Sequence, residues 1–318
     1  MDPLSDLLHG VRARTAAFCR TIWDPPWALR IADEAALALV TALRGHVWIV
    51  PDGADPVLIR TGDVAIAKGP HLYTIGDDPA TVPEIIVHPG NRLTDTTGAD
   101  ITDAFTLGPR TTGSSLAGST IVASGTYQIE NDVTGRLLKA LPDVVVVSRD
   151  DSQSEIIDLL TREVGTAGPG QQVVLDRLLD IALVATLRAW FARSDTEAPG
   201  WYRAQADELV GPALNAIHED PARRWTVATL AERAGGSRSA LARRFTALVG
   251  EPPLTYLTGW RMALAADLLQ TSDLTLEAIA HRVGYANAFA LSVAFTRTRG
   301  LSPSGHRAGG GSASSRVG

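Results

Sequence analysis

Residues 226–235 and 275–284 of this chain are two copies of one pattern. Thr226-Val-Ala-Thr-Leu-Ala-Glu-Arg-Ala-Gly235 lies against Thr275-Leu-Glu-Ala-Ile-Ala-His-Arg-Val-Gly284, so that Thr226 matches Thr275, Leu230 matches Ile279, Ala231 matches Ala280, Arg233 matches Arg282 and Gly235 matches Gly284, each 49 residues apart. Further along, Leu241 and Phe245 match Leu291 and Phe295 at an offset of 50. A repeat that absorbs a one-residue change in a turn is the mark of a duplicated supersecondary unit. Each copy carries the parts of two helices joined by a tight turn. Threonine can accept backbone N–H bonds at the start of the first helix. The small alanine lets the helices cross closely, and glycine supplies the positive φ that ends the first helix. Leucine and phenylalanine plug the space between the two. The second helix keeps one exposed face, which can enter a DNA major groove. Helix–glycine–helix hairpins also occur in plain bundles; two copies joined by one helix in a basic segment favour nucleic acid.

The charge distribution agrees. The 318 residues carry a net charge of −6. Residues 221–307 nevertheless hold eleven arginines against Glu232, Glu251, Asp267, Asp273 and Glu277, which is +6, and leave −12 for the rest of the chain. Only the docked face of a DNA-binding protein must be positive.

Composition sets the frame for the remainder. Hydrophobic residues make up 45% and charged residues 20%, as in a folded protein, and the length allows two domains. No apolar run approaches the roughly 20 residues of a membrane helix. Asp2 and Asp6 stand where a secretory signal carries bases, and Cys19 is the only cysteine. These features predict a cytoplasmic protein with no membrane partner and no intramolecular disulfide. Short β segments separated by Gly, Pro and Asp run from about Trp27 to Ser148, the clearest at 46–50, 57–59, 64–67, 84–88, 120–123 and 144–147. Their density predicts a sandwich or barrel. From Gln172 to Ala192 the apolar residues Val174, Leu175, Leu178, Leu179, Ala182, Leu183, Leu187 and Trp190 recur with a helical period. That stripe is wide enough to pack on the barrel and on a second subunit, which predicts a homodimer.

Residues 208–307 resemble the DNA-binding region of the AraC family of regulators. The resemblance rests on Trp225-Thr226, Ala231-Glu-Arg-Ala-Gly235, Leu241, Phe245, Gly250, Pro253, Arg261, Ile279-Ala280, Val283-Gly-Tyr285, Phe295, Gly300, Ser302-Pro303 and Arg307. The N-terminal part is similar to the cupin-type sensor of one branch of that family, through Phe18-Cys19-Arg20, Pro26-Trp27, Gly62-Asp63 and His88-Pro89-Gly90. The resemblance implies a mainly-β cupin-like barrel over 1–148, a helical connector and dimerisation segment over 149–207, an all-α module with two helix-turn-helix units over 208–307, and a disordered tail over 308–318. It implies a transcription regulator without a cofactor, with double-stranded DNA as partner and an activator's contact with RNA polymerase.

Candidate DNA contacts in the first recognition helix are Arg238, Ser239, Ala242, Arg243 and Arg244. Arg243 is favoured for a base, since guanidinium pairs with guanine O6 and N7. In the second copy the candidates are Asn287, Phe289 and Ser292, beside Ala288 and Val293. Phe289 is read either as a contact to thymine methyls or as core. Arg297, Arg299 and Arg307 are assigned to phosphates, and Arg261 to DNA or to an internal carboxylate.

The signal offers two candidates. Branch relatives respond to oxidants through cysteine, which points to Cys19 with Arg20 lowering its pKa; a second cysteine is missing where Leu93 stands. The alternative is a small molecule in the barrel mouth near His46 and His71. His9, His46, His71 and His88, with Asp63 and Glu84, lack the paired His-x-His of metal-binding cupins, so no metal is expected. The competing class is a cupin metalloenzyme with an accessory DNA-binding module. It has no nucleophile motif, phosphate loop or placed carboxylate pair to support it.

Overall fold

The computed structural model describes residues 3–4, 18–127, 133, 135, 138, 141–149, 154–164, 168–193 and 198–314. The chain divides into two units, one of residues 11–129 and 138–197, the other of residues 1–10, 130–137 and 198–318.

The first unit is built on two sheets. One runs in the order β10 (Thr106–Gly108), β11 (Thr111–Gly113), β1 (Phe18–Trp23), β12 (Thr120–Tyr127), β3 (Leu37–Arg44), β6 (Val64–Lys68), β13 (Val144–Val147). The other runs β5 (Val57–Arg60), β4 (His46–Pro51), β7 (Tyr73–Gly76), β2 (Ala28–Ile31), β8 (Ile85–His88), β9 (Arg92–Asp95). Alternate side chains face inward and form one core: Ala38, Val40 and Ala42 from β3, Ala65 and Ala67 from β6, Val47 and Ile49 from β4, with Trp23 and Trp27 at one end. β3 is buried on its other face too, through Leu37 and Leu39, so it shows no alternation of apolar and polar residues.

That second face is covered by helices. α1 (Ser154–Val164) and α2 (Gln171–Ala192) pack on each other, and α2 also contacts β13. Leu175, Leu179, Leu183, Leu187 and Phe191 are buried along one side of α2. Leu179 sits so close to Gly125 of β12 that a Cβ there would lie 2.7 Å from its Cδ2. The helices of the expected connector therefore cluster with the β unit, because that stripe fills the sheet's outer face, while residues 198–207 cluster with the C-terminal helices. The last division between the two units lies between residues 197 and 198.

The second unit is helical: α3 (Val210–Glu219), α4 (Val227–Arg233), α5 (Arg238–Val249), α6 (Pro253–Thr271), α7 (Leu276–Arg282), α8 (Ala288–Arg299) and α9 (Pro303–Ser314). α9 runs past the expected boundary at 307, started by Pro303 in its first turn and by Ser302 Oγ accepting the Gly305 N–H at 3.1 Å. Residues 315–318 and His9 lie outside the described residues. No described helix is long and apolar enough to cross a membrane.

Candidate nucleic-acid interface and effector cavity

The two repeats fold alike, atom for atom at the key bonds. Thr226 Oγ1 accepts the Thr229 N–H at 3.1 Å and Thr275 Oγ1 accepts the Ala278 N–H at 3.2 Å. Gly235 and Gly284 have φ of 77° and 84°, as the turn requires. The Gly236 N–H reaches the Ala231 carbonyl and the Tyr285 N–H the Ala280 carbonyl, both at 2.8 Å. Ser237 Oγ then caps α5 by accepting the Ala240 N–H at 3.2 Å, and Asn287 Oδ1 caps α8 by accepting the Ala290 N–H at 2.8 Å. Leu241, Phe245, Leu291 and Phe295 are fully buried. In the second unit Leu291 and Phe295 close a core with Met262, Ala266, Leu269, Ile279 and Val283.

This frame decides which predicted contacts are available. With 100° per residue, Ser239, Arg243 and Thr246 stand opposite Leu241 and Phe245, with Ala242 to one side; Arg238 falls on the side of Phe245 and stays open to solvent in the first turn of α5. Arg238, Ser239, Arg243 and Thr246 are exposed and Ala242 is half-buried. Arg244 points to the other flank, where its Nη2 lies 2.5 Å from Asp207 Oδ2. Asp207 also accepts the N–H groups of Leu209 and Val210 at 2.9 Å. Burial works against the charged form of Asp207. The two backbone donors and Arg244 outweigh it and hold the carboxyl below its usual range. Arg244 thus holds a surface ion pair within the helical unit.

Four further candidates have partners within the helical unit. Asn287, taken as a DNA contact, spends its oxygen on the α8 cap. Arg307, assigned to phosphate, donates from Nε to the Leu269 carbonyl at 3.1 Å and from Nη2 to the Leu274 carbonyl at 2.7 Å, tying the end of α6. Arg299 is half-buried and reaches the Met262 carbonyl at 3.5 Å. Arg261 binds neither an internal carboxylate nor an outward group: its Nε and Nη2 donate to the carbonyls of Pro221 and Arg223 at 2.7 and 2.8 Å. Helix C-termini leave orphan carbonyls, and arginine satisfies them well. Arg297 stays exposed. Phe289 is not core: it is 78% exposed, and Val293 beside it is 52% exposed. Ser292 is half-buried.

In the β unit the structure separates the residues proposed for sensing. His46 opens β4 opposite Arg60, whereas His71 precedes β7, whose Tyr73 pairs with Pro51 at the far end of β4. Five residues of strand, roughly 17 Å, lie between those ends. Both histidines are exposed, and His71 borders a shallow cavity with Lys68 and Asp143. His88 Nε2 lies 2.9 Å from Thr94 Oγ1. Among the described residues no group of three or more His, Cys, Asp or Glu could hold a metal. Cys19 lies in β1, 6% exposed, with Sγ 3.3 Å from Thr112 Oγ1; burial pushes its thiol up. Successive strand residues point to opposite faces, so Arg20 cannot stabilise the thiolate. Its guanidinium donates instead to Thr111 Oγ1 at 3.3 Å. Cys19, where an oxidant site was expected, is thus buried beside a threonine hydroxyl and out of reach of Arg20.

A cavity that the sequence did not disclose lies at one end of the two sheets. Its volume is about 580 Å³. Trp23, Trp27, Phe105, Leu29 and Ile85 line its wall, with Asp24, Glu84 and Asp95 around it and, among the described residues, no basic one. Trp23 stacks on Trp27 with ring centroids 6.1 Å apart and meets Phe105 at 5.4 Å. Asp77 Oδ1 accepts the Trp27 N–H at 2.7 Å and fixes the strand entry. Pro26-Trp27 was the one sequence feature pointing here, and only through resemblance. The other lining residues come from β1, β2, β8, β9 and the helical turn Thr102–Phe105, which no local pattern links.

Comparisons with known proteins match each unit separately and the chain as a whole. A cupin family model matches residues 2–192, and a helix-turn-helix domain model matches residues 230–309. An AraC-like transcription regulator of Streptomyces lividans is 32% identical over 315 residues, 96% of this chain and 98% of that one. A second AraC-like transcription regulator, of Streptomyces antibioticus, is 31% identical over 316 residues, again 96% and 98%. The transcriptional regulator AlkR of Acinetobacter baylyi is 27% identical over 320 residues, 96% of this chain and 99% of that one.

Proposed function

Because the chain belongs to the AraC family of DNA-binding transcription regulators, with a cupin N-terminal domain, we propose that α5 and α8 are its recognition helices and that the β unit receives a small-molecule signal. The observation that carries the DNA part is the outward row Ser239–Arg243–Thr246 on the second helix of a helix-turn-helix unit whose inner row is fully buried. An exposed guanidinium at the centre of such a row suits a guanine edge, and Arg297 suits a phosphate. The chain acts by binding and carries no chemistry of its own. Selection of duplexes from random sequence by the full-length protein tests this reading. A consensus containing a guanine whose replacement weakens wild-type but not Arg243→Ala protein supports it; recovery of random sequence contradicts it.

The signal is a small molecule rather than an oxidant. Aromatic walls and a volume of about 580 Å³ suit a ligand of drug-like size, and three carboxylates with no base disfavour an anion. Such a ligand regulates only if it binds one arrangement of the DNA modules better than another. The protein works as a homodimer through the outward side of α2, where Val174 and Ile181 are 43% and 51% exposed and Leu178 lies between them. It contacts RNA polymerase as an activator and resides in the cytoplasm.

A further inference from the structure

The two recognition helices present different chemistry at matching positions. Ser237 and Asn287 are both caps, and Leu241 and Phe245 match Leu291 and Phe295, all fully buried. The register is thereby fixed at an offset of 50. Position 289 stands where the first helix has Ser239, and position 293 where it has Arg243. The first helix offers a hydroxyl and a guanidinium; the second offers a phenyl ring 78% exposed and an isopropyl group 52% exposed. Nothing in the helical unit covers them. A large apolar side chain kept in water at the centre of a functional face marks an interaction surface.

We propose that the second helix-turn-helix unit reads thymine through its C5-methyl group, with Phe289 and Val293 as the reading side chains. This rests on α5 and α8 being the recognition helices. In the major groove the only alkyl group on a base edge is that methyl; cytosine carries just a hydrogen at C5, and the remaining features are hydrogen-bond donors and acceptors. Phe289 and Val293 can neither donate nor accept, so a guanine or cytosine edge would leave base polar groups unpaired against them. Their surroundings fit DNA better than a protein partner. Arg297 is exposed one turn beyond Val293, and Arg282 is exposed at the end of α7. An apolar strip beside cations matches thymine methyls between phosphates. The two units would then split recognition, the first by hydrogen bonding to guanine, the second by apolar contact.

The test uses full-length protein and a duplex selected by it, with each thymine replaced in turn by uracil, which removes the methyl and keeps every hydrogen-bonding group. At one or two thymines, uracil should weaken wild-type binding about four-fold, the effect of losing one buried methyl group. Phe289→Ala should bind the thymine duplex more weakly and lose the uracil effect, while keeping the guanine preference set by Arg243. Equal binding of every uracil duplex by wild type overturns the proposal, as does a Phe289→Ala protein that keeps the uracil effect. So does a Phe289→Ala protein that binds all duplexes like wild type yet fails to activate transcription, which would make Phe289 a polymerase contact. If wild type selects no duplex, the recognition-helix reading itself falls; if it selects duplexes without a uracil effect, only the thymine assignment falls.

Discussion

Arginine fate is the clearest lesson at the scale of single residues. Arg243, Arg244, Arg261 and Arg307 are indistinguishable in composition, yet the structure leaves Arg243 exposed, pairs the exposed Arg244 with Asp207, and ties the half-buried Arg261 and Arg307 to backbone carbonyls of the helical unit. Sequence showed where arginines cluster; it could not show which carbonyls and carboxylates await them, because Leu269, Leu274 and Asp207 lie 30 or more positions away. Arg307→Ala should therefore lower stability by about 1.5–3 kcal/mol, the cost of losing charged donors to two carbonyls, and leave the salt dependence of DNA binding unchanged. Chemical denaturation paired with a salt titration checks both. Asp207 gives a pH test. Its carboxyl is held down in the folded unit, so its contribution is present above the unfolded pKa near 4 and is lost as pH falls through the lower folded value. Asp207→Asn should be less stable than wild type at pH 7, with the difference shrinking below pH 4 in urea melts. The raised thiol of Cys19 predicts slow alkylation in the native protein, and Cys19→Ser should respond to effector like wild type.

Short apolar runs bounded by turn residues were legible as strands; a longer run of helix-favouring residues was not. β4, β6, β8 and β13 announce themselves through short apolar runs between turn residues. β3, Leu37-Ala-Leu-Val-Thr-Ala-Leu-Arg44, does not, because with both faces covered it lacks alternation and, unlike the equally buried β6, its Ala and Leu residues favour helix. The apolar stripe of α2 was visible, but its width was read as two surfaces without saying which was which. Leu183 and Leu187 are at most 2% exposed, so polar substitutions there should unfold the β unit instead of yielding monomers. The dimer is tested on the outer side: Val174→Glu with Ile181→Glu should sediment as a folded monomer at micromolar concentration where wild type is a dimer. The double-unit architecture was the most legible feature of all, since the 49–50 residue repeat encodes caps, turn glycines and core plugs at once.

At the scale of the whole molecule, an acidic cupin unit and a basic helix-turn-helix unit share one chain. An effector that seats in the cavity should raise the melting temperature of wild-type protein by mass action, and Phe105→Ala should blunt that rise. The central claim is that the exposed faces of α5 and α8 read DNA by charge and by base edge together. Its most direct measurement is the affinity of wild-type, Arg243→Ala and Arg297→Ala proteins for a selected duplex across a salt series. The account predicts a linear fall of log affinity with log salt for all three, a slope about one unit shallower for Arg297→Ala, and for Arg243→Ala a loss of about 1–3 kcal/mol confined to one base pair. Wild-type binding that ignores both salt and that base pair would contradict it.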